Sequence, residues 1–296
     1  MPRVALALVL VAAFASSGCR VARAKSHRIG QASATLTPPP PDPKTWPDAL
    51  PEEVELPDSK ALDSKARRPV VYLDPGHGAR DNPGNTSSFC VEEQDFTREL
   101  MLDVTSYLEE TGRFEFVTSR PGGALVSYAD RVDAARRAHA DVFVSFHSDI
   151  RGVHRDEWSP QPGQSCKRSF DAPGFSVLYS DEGASSLVRG RVALASSISE
   201  AMRSAGFVPY TGAEYRDLYE GTPSDAGVFV DRHEEKKRIF VLRRTEMPAV
   251  IVETHNALDP REAAAWEEPT TRRAFAFAIG RAILESFDTT AKPPRG

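Results

Sequence analysis

The sequence predicts an α/β domain of three layers, α/β/α, built on a mostly parallel sheet of six strands. Three observations predict it. Short, near-continuous runs of Val, Ile and Phe recur, as expected of strands buried on both faces. Between them lie stretches with apolar residues at helical spacing, the alternation of a layered α/β sheet. The chain has 296 residues, enough for one sizeable domain with extensions.

Val70-Val71-Tyr72-Leu73 reads as the first strand. Asp95 to Leu108 follows as a helix, with Phe96, Leu100, Val104 and Tyr107/Leu108 on one stripe and Thr111-Gly112 as its stop. Phe114 to Thr118 is the second strand, Val132 to Ala138 a short Ala-rich helix, and Val142 to Phe146 the third strand. Phe175 to Tyr179 is the fourth. Val188, Val192, Ala195, Ile198 and Met202 mark a helix. Ile239 to Leu242 and Ala249 to Val252 complete the strands, and Phe275, Ala278/Ile279 and Ala282/Ile283 mark a last helix ending near Phe287. No internal repeat is apparent.

The ends read differently. Arg3, the apolar run Val4 to Ala15 and the small residues Ser16-Ser17-Gly18 form an export signal over 1–19, too short to span a bilayer, which takes ~20 residues. Cys19 follows as a candidate lipidation site, although Ser16 stands where a lipoprotein signal usually has Leu; a lipid anchor and plain secretion both fit. Residues 20–68, with Pro38 to Pro41, read as a disordered Pro-rich tether. Residues 69–288 are the domain, and 289–296 a disordered tail. The chain is thus expected in the periplasm or cell envelope, touching membrane only through Cys19. Cys90 and Cys166 lie in loop-like sequence, where export permits a disulfide; two free thiols are the alternative. A net charge of -5 and the lack of a Lys/Arg block exclude a nucleic-acid binder.

Chemistry-bearing residues sit just after three strands. They are His77 in Asp74-Pro75-Gly76-His77-Gly78, His147 in His147-Ser148-Asp149, and Glu253 in Glu253-Thr254-His255-Asn256. In open α/β sheets ligands bind outside the carboxyl ends of the strands, so these converge on one rim. Glu93 opens the first helix near the same rim. Two imidazoles and a carboxylate are a usual protein set for a hydrolytic zinc, and a further carboxylate can carry a proton. Each has a plainer reading: Asp-Pro-Gly is a common turn, either histidine could be solvated or satisfied at a strand end, Glu93 and its neighbour Glu92 suit a helix start, and Glu253 could pair an ion.

Together these stretches resemble the zinc-dependent N-acetylmuramoyl-L-alanine amidases (type 3 cell-wall amidases). The resemblance runs from about Val70 to Phe287. Val71 to Gly78 resembles the family's opening strand and first zinc histidine. Glu93-Gln94-Asp95 resembles the acid-Lys-Asp start of its first helix. Thr118-Ser119-Arg120 is similar to its Thr-Arg after the second strand. Asp130-Arg131-Val132, continued by Ala140 to Asp149, is similar to its most distinctive stretch, and Met247 to Glu253 to the segment that ends in its catalytic glutamate. The resemblance implies a phosphorylase/hydrolase-like fold, one Zn2+ held by His77, Glu93 and His147, and Glu253 as general base and then acid. It also implies hydrolysis of the amide between N-acetylmuramic acid and L-alanine in peptidoglycan, for wall remodelling or septum splitting.

Three departures matter. The family usually has a small residue and then Phe after the glutamate; here His255, two residues on and on the same side of an extended chain, is a candidate for oxyanion polarisation, for orienting Glu253, or for filling space. A long polar stretch follows Asp149, and a Cys90–Cys166 bridge would pin two rim loops beside the metal. Val208 to Lys237 reads as a polar insertion holding Glu214, Tyr215, Tyr219, Glu220, Asp225 and His233. It suits a substrate-groove wall, or a self-inhibitory cover on which an activator protein acts. Two rival functions stand beside the amidase: a zinc carboxypeptidase, which needs an Arg such as Arg120, Arg131 or Arg244 to grip a terminal carboxylate, and a non-catalytic wall-binding lipoprotein.

Overall fold

The computed structural model describes residues 50–57, 67–215 and 217–291. The signal segment with Cys19, the tether up to residue 49 and the last five residues lie outside the described residues.

The elements run β1 (Val70–Pro75), α1 (Glu93–Glu109), β2 (Glu115–Thr118), α2 (Tyr128–Arg137), β3 (Val142–Asp149), β4 (Asp156–Trp158), β5 (Cys166–Arg168), β6 (Ser176–Tyr179) and α3 (Ser185–Ser204). They continue with β7 (Tyr219–Gly221), β8 (Val228–Asp231), α4 (Phe240–Arg244), β9 (Ala249–Asn256), α5 (Pro260–Glu267) and α6 (Pro269–Ala291). The main sheet has seven strands in the order β2-β1-β3-β9-β6-β8-β7; β4 and β5 form a separate hairpin. β2, β1, β3 and β9 pair in parallel, and so do β6 and β8. β6 runs antiparallel to β9, and β7 to β8.

The sheet is therefore mixed and one strand larger than the expected mostly parallel six. The cause is the chain between β3 and β6. It carries no helix to return it across the sheet, so β6 starts at the rim where β9 ends, with Ser176 opposite Glu253.

Alternation along the strands sorts the core. Val71, Leu73, Val144, Phe146, Val250 and Val252 face α1, α3 and α6, whose Leu100, Val104, Ile198, Phe275 and Ile279 join them in one cluster. Tyr72, Phe143, Leu178, Ala249 and Ile251 face the other way, onto Ala135 of α2, Val241 and Leu242 of α4, and Tyr210 and Tyr215. Among the described residues this second face carries two short helices, α2 and α4.

Local signals account for the helices. α1 buries Phe96, Leu100, Val104 and Leu108 at a spacing of four. Ser127 caps α2 by accepting from the Asp130 amide, and Arg136 and Arg137 close its last turn. Asp259 caps α5, with Pro260 in its first turn.

Three expectations are corrected. Ile239 to Leu242 is not a strand: Phe240–Arg244 is helical. The Asp231 carboxylate accepts the Ile239 amide at 2.8 Å, and the Arg243 amide reaches the Ile239 carbonyl at 3.0 Å. Four apolar residues carry no periodicity that separates helix from strand. The Val208–Lys237 stretch is not an insertion outside the sheet, since β7 and β8 lie within it. Within the stretch expected as tether, residues 50–57 pack against the domain. Val54 is buried in the larger core, the Glu52 amide bonds the Ala205 carbonyl, and Glu53 pairs with Arg273.

Candidate metal centre

β1 ends in a turn that presents His77. His77 itself lies at φ 59 and Gly78 at φ 66, two successive left-handed residues. A side chain in that region is strained, and the strain is tolerated only where surroundings over-determine it. Here two buried arginines do so. Arg131 donates to the carbonyls of Pro75, His77 and Val126. Arg120 donates to those of Pro75, Gly76 and Gln94. Asp74 fixes Arg131 in turn, at 3.1 Å with both groups buried, and also accepts from Ser119 and Ser145.

Three side chains converge at this turn. Glu93, in the first turn of α1, lies with Oε2 3.1 Å from His77 Nε2 and Oε1 3.0 Å from His147 Nδ1. Among the described residues they form the one group of three whose ligand atoms converge, within 4.8 Å of one another. Donors bound ~2.0 Å from a tetrahedral zinc stand about 3.3 Å apart, so this spacing suits a single ion. Glycines make the approach possible. A Cβ on Gly84 would stand 2.6 Å from Glu93 Oε2, and one on Gly76 would collide with the His147 ring.

Outer partners orient the set. Asn82 Oδ1 lies 2.9 Å from His77 Nδ1 and, accepting its proton, leaves Nε2 free as a donor atom. Asn82 Nδ2 donates to the Tyr128 hydroxyl at 2.8 Å. Glu93 Oε2 accepts from Asn85 twice, through the amide at 3.0 Å and Nδ2 at 2.7 Å, and Oε1 accepts from the Ser148 amide at 3.0 Å. Burial alone would raise the Glu93 pKa, but hydrogen bonds to His147 and His77 hold it below the ordinary carboxylate range. For His77, burial works downward and is outweighed by Glu93, which lifts the imidazole above its usual value. Asn82 and Asn85 were missed in the sequence, where Asn82-Pro83-Gly84-Asn85 carries only a turn signal.

Glu253 stands beside this group. It pairs with His147 across β3 and β9, and parallel neighbours in register share a face. Its Oε2 is shielded and has no hydrogen-bond partner. Burial first, then the negative charges of Asp149 and Glu93, push its carboxyl well above the usual range, with Arg151 opposing. Asp149 is held by the Tyr215 hydroxyl at 2.6 Å. Arg151 donates to the Gly174 carbonyl at 2.6 Å and lies 4.1 Å over the Tyr210 ring.

The remaining candidates distribute as follows. His255 does not share the side of Glu253. Between the pairs His147–Glu253 and Asp149–Asn256 the register shifts, a bulge with the extra residue on β9. It turns His255 into the α1 side, between Phe96 at 5.1 Å and Trp266 at 5.6 Å. Burial drives its pKa down to about 3. Cys90 and Cys166 form a disulfide with Cα atoms 5.7 Å apart, tying the turn before Glu93 to the β4–β5 hairpin. No acid of the Val208–Lys237 stretch joins the metal group. Glu214 accepts the Gly152 amide, Glu220 pairs with Arg232, Asp225 accepts from Ser196, and His233 leans on Asp231. Of the three arginines weighed as carboxylate grips, Arg120 and Arg131 are buried and committed to backbone carbonyls, and Arg244 lies in a groove between α2 and α4.

The sequence profile of the N-acetylmuramoyl-L-alanine amidase family matches residues 71–285, which takes in every residue of this site. The chain belongs to that family. Among amidase relatives, the N-acetylmuramoyl-L-alanine amidase AmiC of Neisseria meningitidis serogroup B is 26% identical over 238 residues, 76% of this chain and 54% of that protein. The probable amidase AmiB of Haemophilus influenzae is 23% identical, over 73% of this chain and 51% of its own. The chain thus spans about half the length of these curated relatives. AmiA of Escherichia coli K12 is 26% identical, over 77% of this chain and 79% of that one. In fold, the amidase Ami1 of Mycobacterium smegmatis superposes with a TM-score of 0.58 at 23% identity, covering 75% of this chain and 97% of that one.

Proposed function

We propose that this amidase hydrolyses the amide between N-acetylmuramic acid and L-alanine in peptidoglycan, using one Zn2+ held by His77, Glu93 and His147. One observation carries the reading: beside three converging donors stands Glu253, with a shielded oxygen that nothing in the protein satisfies. An unsatisfied buried carboxylate oxygen is costly unless it is meant for substrate or water. When bound, the ion supplies a Lewis acid, polarising the amide carbonyl and lowering the pKa of water from 15.7 to ~7.

The chain does the rest. Glu253 takes a proton from the attacking water and, because its environment favours the protonated form, holds it until the leaving nitrogen accepts it. Asn82 and Asn85 keep the His77 and Glu93 donor atoms turned inward. Tyr215 donates to Asp149, whose negative charge helps keep the Glu253 carboxyl protonated. The Val208–Lys237 stretch fits a groove wall better than a self-inhibitory cover, because Glu214, Glu220 and Asp225 are engaged elsewhere and, among the described residues, the converging group is His77, Glu93 and His147. An activator acting there would have to move β7 and β8. The protein is exported to the periplasm or cell envelope, either secreted or held by a lipid anchor at Cys19.

A carboxypeptidase reading is disfavoured by the commitment of Arg120 and Arg131 to the metal turn. Digestion of purified sacculi with and without a chelator, followed by mass analysis, tests the proposal. Peptide-free glycan strands and intact stem peptides, lost on chelation, are expected; trimmed peptides would sink it.

A further inference from the structure

The bulge in β9 leaves an arrangement around His255 that none of the steps above uses. The Thr254 hydroxyl donates to the His147 carbonyl at 2.8 Å. Its single proton is thereby committed, so the contact between Thr254 Oγ1 and His255 Nδ1, at 2.9 Å, has His255 as donor. At a bulge the ladder is locally interrupted, and here a side chain meets the carbonyl of a metal-ligating residue. The His255 ring is 2% exposed and lies edge-on to Phe96 and stacked on Trp266. Phe96 sits three residues after Glu93 on α1 and closes the same first turn of the helix. One imidazole thus touches the supports of two ligands: the backbone of His147 through Thr254, and the first turn of α1 through Phe96. It reaches neither the metal group nor Glu253 directly.

We infer that His255 and Thr254 are positioning residues that set the spacing of His147 and Glu93 for a divalent ion. The inference rests on the metal reading above. Its order of effect is that of outer-shell partners of metal ligands, whose loss costs 10–100-fold in affinity.

Four variants separate the hydrogen-bond relay from simple packing. Thr254→Val keeps the shape and removes the hydroxyl, whereas Thr254→Ser keeps the hydroxyl. His255→Phe keeps a ring between Phe96 and Trp266 and removes the donor, whereas His255→Asn keeps a donor near Nδ1. Zn2+ affinity is measured by competition with a chromophoric chelator, the Co2+ absorption spectrum reports ligand geometry, and the melting temperature of metal-free protein reports packing. Thr254→Val and His255→Phe should each weaken Zn2+ binding roughly tenfold and change the Co2+ spectrum, while Thr254→Ser stays close to the parent. Should Thr254→Val fail to fold, His255→Phe decides. Parent-like affinity and spectrum in both donor-deleted variants overturn the inference and leave the metal reading standing. A parent protein that binds no Zn2+ overturns both.

Discussion

Removing the Cys90–Cys166 bridge should cost several kilocalories of folding stability. The two cysteines are 76 residues apart in sequence, so the bridge closes a long loop of the unfolded chain. On the chain-entropy relation the loss for a loop of that size is about 15 cal/mol/K, or about 4.5 kcal/mol at 25 °C. The loop contains α1, β2, α2, β3 and β4, so the constraint takes in a central strand of the main sheet as well as the β4–β5 hairpin. The turn at Cys90 has other ties, including the Cys90 amide to the Ser87 carbonyl and the Ser87 amide to the Val91 carbonyl. These should hold the native geometry once the bridge is gone, leaving the unfolded state as the main place where the change is felt. The assay is urea unfolding of the Cys90→Ala/Cys166→Ala double variant against the oxidised parent. With an m-value of ~2 kcal/mol/M, the midpoint should fall by about 2 M. An unchanged midpoint with an unchanged m-value would refute the reasoning.

Three further outcomes follow. Glu253→Gln should lower kcat by at least about 100-fold, the scale of a lost general acid–base group, while Zn2+ binding stays intact; full turnover with metal in place would remove its proton role. Asn85→Ala takes a donor from Glu93 Oε2 and should weaken Zn2+ about 10-fold or more, read by chelator competition, with unaltered affinity counting against the outer-partner argument. Glu262 is buried and accepts the Gly174 and Asn256 amides, and burial, then Asp259, raise its pKa to about 7. A raised folded-state value means a stability contribution fully present below the unfolded pKa of 4.5 and lost as pH rises to 7. That contribution is of order 3 kcal/mol, taking about 1.4 kcal/mol per pKa unit. Urea midpoints of the parent minus those of Glu262→Gln should therefore decline between pH 4.5 and 7; a flat or rising difference would contradict the shift.

What could be read in the sequence follows from how local each signal is. β1, β3 and β9 announce themselves because strands buried on both faces need unbroken apolar runs, and the ligands follow at their carboxyl ends. Glu93 and Glu92 both suit a helix start; in the structure Glu93 is buried along with Phe96, Leu100 and Val104, while Glu92 precedes the helix. β8 was hidden because Val228-Phe229-Val230 is a bare three-residue run inside polar sequence. The packed segment 50–57 was hidden because Val54 and Leu56 alternate with Glu and Pro, which reads as tether until a groove across α6 is present to bury them. His255 was assigned to the side of Glu253 on the rule of alternation. That rule fails at a bulge, and a bulge is a property of two strands, which one sequence segment does not display.

Two of the three converging residues, His77 and Glu93, are held by different helices, and the third, His147, stands near the end of β3. α2 holds His77 twice, through Arg131 to its carbonyl and through the Tyr128 hydroxyl to Asn82 and so to its ring. α1 carries Glu93 outright, and its Thr97 hydroxyl and the Gln94 carbonyl bind the Gly76 carbonyl and Arg120, the other side of the same turn. A buried guanidinium is expensive, and burial indeed lowers the Arg120 pKa. The expense has a reason in the turn itself. The Pro75, Gly76 and His77 carbonyls include groups that neither ladder nor helix serves, and a side chain with five donors in a planar fork can serve several at once. With the turn, the helix start and the strand end each held from outside, the three donor atoms approach one another in the protein alone. On the proposed function, a divalent ion would meet a set that needs little rearrangement, and its binding energy would not be consumed in ordering the residues that hold it.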